Sequence, residues 1–201
     1  MDLRSLIDTH LDLARLSKDL DELGHPGRVW AVHHWTRADM ATLWEAAKGL
    51  RPVTLDDYVP PGVGPLVEVI HDGKNSLPLF THFQKRFCKP ADPGTKDVAY
   101  GYNHQSMSAF TGPGYFVMHP STEPGEMDID YTMVPKEKAT AWPPIVNNGG
   151  LGRFVYHGMV DVMRGIATHV SIGRARKSQS WMDNWFVLVR EDPRADAQPS
   201  P

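Results

Sequence analysis

Met127-Asp128-Ile129-Asp130-Tyr131-Thr132-Met133 alternates large apolar residues with short polar ones along its whole length. A period of two puts Met127, Ile129, Tyr131 and Met133 on one side of an extended chain and both aspartates on the other. That is the pattern of a strand with one packed face and one polar face. Upstream, Tyr115 to His119 reads as a strand; downstream, so do Thr168 to Ala175 and Trp181 to Arg190. Leu66 to Ile70, Phe80 to Cys88 and Val98 to Asn103 extend the series toward the N-terminus. In Phe80 to Cys88, Phe83, Lys85 and Phe87 share one side while Gln84, Arg86 and Cys88 share the other. The breaker-rich Lys89 to Asp97 then predicts an antiparallel pairing with Val98 to Asn103. Phe154 to Met163 reads as one short helix among these strands, after a long connection from Pro135 to Arg153.

The first fifty or so residues follow a different period. Leu3, Leu6, Ile7, Leu11, Ala14, Leu20 and Leu23 recur at mostly three- and four-residue steps, which predicts an amphipathic helix over 2–23. Gly24 stops it, His25-Pro26-Gly27 reads as a turn, and Thr36 caps a second helix running to Gly49. Helices first and antiparallel strands after argue for an α+β fold: N-terminal helices packed on a strongly bent antiparallel sheet or small β-barrel. The corresponding units are a helical segment over 1–50, a β-rich domain over 66–190 containing the one short helix, and a disordered tail over 191–201.

Composition narrows the function classes. The chain has 201 residues, 41% hydrophobic and 22% charged, with a formal net charge of −3, ten His and one Cys. No basic surplus supports nucleic-acid binding. No apolar run reaches the ~18 residues of a membrane span, and the charged start lacks a signal-peptide core. Lone Cys88 excludes an intrachain disulfide, and the natural expectation is the reducing cytoplasm.

Phosphate-loop, zinc-helix, C-x-x-C and nucleophile-elbow motifs are absent from the sequence. No pair of histidines has a recognised ligand spacing, so no metal and no cofactor is assigned. The candidate acid/base groups are carboxylates and imidazoles in useful local geometry. Asp128 and Asp130 share one strand face, where mutual repulsion in a cavity raises one pKa. His157 and Asp161 are four apart, neighbours on a helix, and His169 alternates with Ser171 against Val170 and Ile172. Tyr115, Tyr131, Trp142 and Trp185 supply the aromatic lining that orients an organic ligand. The expectation is a small-molecule-binding protein with an aromatic and His-lined pocket suited to non-redox acid/base chemistry. The alternative is a structural or interaction module forming a homo-oligomer through its N-terminal helices.

Overall fold

In the computed structural model, the described residues are 3–8, 11–78, 81–104, 114–145, 158–178 and 180–192. Eight strands form a closed antiparallel barrel in chain order: β1 (Val69–Asn75), β2 (His82–Cys88), β3 (Ala99–His104), β4 (Tyr115–Pro120), β5 (Met127–Asp130), β6 (Met159–Ala167), β7 (Val170–Lys177) and β8 (Ser180–Arg190). Each strand pairs with the next, and β1 pairs with β8 to close the ring, with His71 opposite Arg190 and Asp72 opposite Val189. Closure leaves no sheet edge unpaired. The small barrel is therefore the form the expected sheet takes.

The helices are α1 (Ser5–Asp8), α2 (Leu13–Glu22), α3 (His25–His33), α4 (Arg37–Ala46) and α5 (Leu55–Tyr58). Thr36 caps α4 as expected, its side chain accepting from the Asp39 amide while Asp39 accepts from the Thr36 amide. His25-Pro26-Gly27 is not a turn but the first turn of α3, where Pro26 is tolerated because the N–H it lacks has no helical partner. Leu16, Leu20, Val32, Leu43 and Trp44 of α2–α4 form one core with Val162, Ile166, Ile172 and Val187 on the outer face of β6, β7 and β8. A second outer core lies over β2–β4, where Tyr100, Tyr102, Tyr115 and Cys88 pack with Ala139 and Trp142.

The expected helix over Phe154 to Met163 is corrected: Met159–Met163 begins strand β6, while residues 154–157 lie outside the described part. Both faces of β6 are covered, one by helices and one by the barrel core, so its sequence lacks the alternation of a half-exposed strand. The expected tail is corrected at its start. The Glu191 amide bonds the Ile70 carbonyl, and Asp192 accepts from the His25 amide and pairs with Arg28, so these two residues are tied to the barrel and α3.

Candidate functional site

Alternation turns Phe83, Lys85 and Phe87 of β2 into the barrel, along with Asn103, Phe116, Ile129, Asp161, Met163, Phe186 and Leu188 from the other strands. Eight strands enclose a space that side chains fill or that holds one small ligand, so whatever points inward is desolvated. Lys85 is 2% exposed and Asp161 4%. Lys85 Nζ donates to Asn103 Oδ1 at 2.8 Å, to Asp161 Oδ2 at 3.2 Å and to the Tyr131 hydroxyl oxygen. The Tyr131 hydroxyl donates to Asp161 Oδ2 at 3.1 Å and accepts from Asn103 Nδ2 at 3.1 Å. All three ammonium protons thus have partners.

Four aromatic rings surround the same nitrogen. The ring centroids of Tyr131 and Phe186 lie 5.0 Å from Lys85 Nζ, that of Phe116 5.3 Å and that of Phe83 5.6 Å. These are cation–π distances. Three of the rings owe their positions to glycine: Phe83 lies over Gly73, Phe116 over Gly101 and Phe186 over Gly173, each its cross-strand partner. A Cβ on Gly73 would stand 2.6 Å from the Phe83 ring. Burial lowers the Lys85 pKa, against the opposing pull of Asp161.

One end of the interior is plugged by α5. Arg190 Nη1 donates to the carbonyls of Asp56 (2.9 Å) and Asp57 (2.8 Å), and His71 Nε2 meets the Tyr58 carbonyl at 3.0 Å. Burial pushes the His71 pKa down to about 3, so the ring is neutral and Nε2 is a donor. A cavity of about 10 Å³, room for one water, is lined there by Tyr58, His71, His169 and Ser171. At the other end Phe83 and Met159 pack on the interior cluster while remaining partly exposed. A larger groove of about 470 Å³ runs outside the barrel between α5 and the β4–β5 turn. Its buried carboxylate, Glu126, is held by Arg164 at 2.7 Å, and the described residues lining the groove include no lysine, arginine or histidine.

Of the residues singled out from sequence, Tyr131 and Asp161 meet inside the barrel. Asp128 and Asp130 do share a face, but it is the outer one: Asp128 lies 3.7 Å from Arg176, and Asp130 accepts from the Thr132 amide at 2.7 Å and lies 3.8 Å from His119. His169 sits in the β6–β7 turn, far along the chain from Asp128, and lies 3.5 Å from Arg190 Nη2 and 3.9 Å from Asp192. Its pKa is lowered by burial and by the Arg190 charge. His157 lies outside the described residues. Tyr115 and Trp142 belong to the outer core over β2–β4, and Trp185 is under the helices with Arg37 and Arg174 over its ring. Among the described residues, no cluster of three or more His, Cys, Asp or Glu is arranged to hold a metal.

Lys85 and Asn103 are not among the sequence candidates, yet the signal for Lys85 is in the sequence. A lysine between two phenylalanines at two-residue spacing must either expose both rings or bury its ammonium. Asn103 has no comparable local mark. A further His–carboxylate pair, also unmarked, joins α3 to β1. His25 Nε2 lies 2.9 Å from Asp72 Oδ2, and Gln84 Nε2 donates to the other carboxylate oxygen at 3.0 Å. The hydrogen bond to Asp72 raises the His25 pKa. Cys88 is buried, and burial pushes its thiol pKa up to about 12. Comparisons with protein families, with curated proteins and with solved structures find no match for this chain.

Proposed function

We propose that this protein binds a small, mainly apolar organic molecule inside the barrel, with the ligand's polar group seated at Lys85, Tyr131 and Asn103, and supplies non-redox acid/base chemistry there through Lys85, Tyr131 and Asp161. The observation that carries the reading is the buried Lys85 ammonium held between a carboxylate, a phenol and four rings. Desolvating an ion pair costs several kcal/mol per charge, and an aliphatic pair fills the same volume without that cost. A desolvated ionisable group with a specific charge partner in an aromatic enclosure is the usual company of a ligand's reactive end. The partly exposed Phe83 and Met159 mark the side of entry. The helices packed across β6–β8 serve in this reading as a brace that leaves the other end of the barrel to the ligand. Cys88, a buried free thiol, agrees with a reducing cytoplasm.

Calorimetric titration with benzyl alcohol tests the binding. The expected result is one saturable site, weakened about tenfold by Tyr131→Phe, the worth of one hydrogen bond, and abolished by Lys85→Met in protein shown by circular dichroism to be folded. No heat with the wild type, or equal affinity in all three proteins, removes the reading.

The second reading, self-association through the N-terminal helices, rests on one residue. The apolar faces of α2 and α4 are turned onto the barrel of the same chain, whereas Trp30 of α3 is 52% exposed. Sedimentation of Trp30→Ala beside the wild type decides it: equal monomer masses exclude this surface.

A further inference from the structure

We infer that Lys85 forms an imine with small aldehydes or ketones that enter the barrel, an inference that rests on the interior binding proposed above and names its ligand class. In the charged state every Lys85 proton is already taken by Asn103, Tyr131 and Asp161. A ligand that only accepts a hydrogen bond must therefore displace one of these partners. A carbonyl carbon instead uses the lone pair that appears when the ammonium gives up a proton, and the geometry provides the acceptor: Asp161 Oδ2, at 3.2 Å. That transfer turns two buried charges into two neutral groups, which desolvation favours. Lysines desolvated in apolar surroundings are activated as nucleophiles in this way.

The step balances without any further reagent. The Lys85 nitrogen forms a bond to the carbonyl carbon as the C=O π pair moves onto oxygen, which takes the proton from the Asp161 carboxyl. The nitrogen returns a proton to Asp161. The carboxyl then protonates the new hydroxyl, which leaves as water while the nitrogen lone pair closes the C=N bond. Ammonium and carbonyl become iminium and water, Asp161 ends as a carboxylate, and nothing is oxidised or reduced. The product keeps one positive charge and one N–H at the same nitrogen. The four rings at 5.0–5.6 Å and the Asp161 carboxylate therefore stabilise it as they stabilise the ammonium. The Tyr131 hydroxyl, in contact with the Lys85 nitrogen and 3.1 Å from Asp161 Oδ2, can turn its proton from Asp161 to the carbonyl oxygen as charge develops there.

The full chain incubated at neutral pH with benzaldehyde and sodium cyanoborohydride, then mapped by peptide mass spectrometry, reads the result directly. Lys85 is expected to carry the benzyl group roughly tenfold faster than the exposed lysines, because Asp161 at 3.2 Å takes its proton inside the apolar enclosure. Asp161→Asn is expected to slow that labelling while leaving the surface lysines unchanged. Labelling of Lys85 no faster than of the surface lysines, in protein that still binds benzyl alcohol, overturns the imine and leaves the binding site standing. Absence of binding by both compounds overturns both. Wild-type labelling in Asp161→Asn, with circular dichroism confirming the fold, overturns the proton route through Asp161.

Discussion

Lys85 and Asp161 meet across the barrel, not along its wall: Nζ and Oδ2 are 3.2 Å apart although β2 and β6 stand on opposite sides of the eight-stranded ring. The pair therefore couples two strands that share no ladder. Its loss from one side leaves an uncompensated charge in the interior. Lys85→Met is expected to destabilise the fold by about 3–5 kcal/mol, and Lys85→Met with Asp161→Leu to recover most of that loss, since an apolar pair removes both desolvation costs. Urea unfolding of the three proteins measures it. Equal losses in the single and double variants would show that the two charges do not depend on each other.

Two histidines give the stability–pH profile opposite slopes in separate windows. His71 has a folded pKa of about 3, below its ordinary 6.5, so below pH 6.5 the unfolded chain binds a proton that the folded chain does not. Stability is expected to fall as pH drops from about 6.5 toward about 3, by about 1.4 kcal/mol per pH unit from this group. The His25 pKa is raised by Asp72, so its contribution is fully present below 6.5 and is lost as pH rises through the raised value. His71→Leu should flatten the acid limb and His25→Gln the neutral-to-alkaline one, both measured by urea midpoints from about pH 4 to about pH 9. A variant that flattens the other limb contradicts the assignment.

The ring positions around Lys85 predict a sharp contrast between glycines. A Cβ on Gly173 would overlap the Phe186 ring and stand 2.7 Å from Met163 Sδ, whereas a Cβ on Gly62 meets nothing within 4 Å. Gly173→Ala is expected to cost about 1–3 kcal/mol by overpacking and to weaken benzyl alcohol binding by moving Phe186. Gly62→Ala should leave both unchanged. Thermal unfolding and the same calorimetric titration compare them, and equal behaviour of the two variants would count against glycine-seated rings.

The strand grammar around Met127 to Tyr131 is legible because that strand shows clean alternation. It is illegible at Met159 to Ala167, where helices cover the outside, and the near-continuous apolar run with Asp161 four residues from His157 mimics a helix turn. A helical reading of β6 hides the site. Sequence singles out Asp161, but with His157 as partner, when its partner is Lys85, 76 residues away. Only closure of the ring sets that distance, and no local spacing encodes it. Tyr115 and Trp185 mislead for a related reason: a strand buried on both faces places aromatic residues outside as well as inside, and sequence does not say which face is the interior. Trp142 follows β5 in the chain and packs on the outer face. The Phe83-Lys85-Phe87 face is in plain view and carries the answer, once an inward lysine is taken as the consequence of two inward rings.

Leu16 of α2 is fully buried in the core that joins α2–α4 to the outer face of β6–β8, at 0% exposure, while Trp30 of α3 is 52% exposed. If the helices owe their order to that core, the two residues must behave differently. Leu16→Ala is expected to cost about 2–5 kcal/mol, because the cavity it leaves lies between helix and barrel and neither side can collapse onto it fully. Trp30→Ala should shift stability by about 0.5 kcal/mol or less, as for other exposed positions. Limited proteolysis adds a spatial readout: the Leu16 variant should be cut first within α1 or α2, with the barrel strands, held by a closed set of ladders, cut later. Cleavage that begins in the barrel, or equal stability losses at the two positions, would mean that the helical layer does not depend on this core.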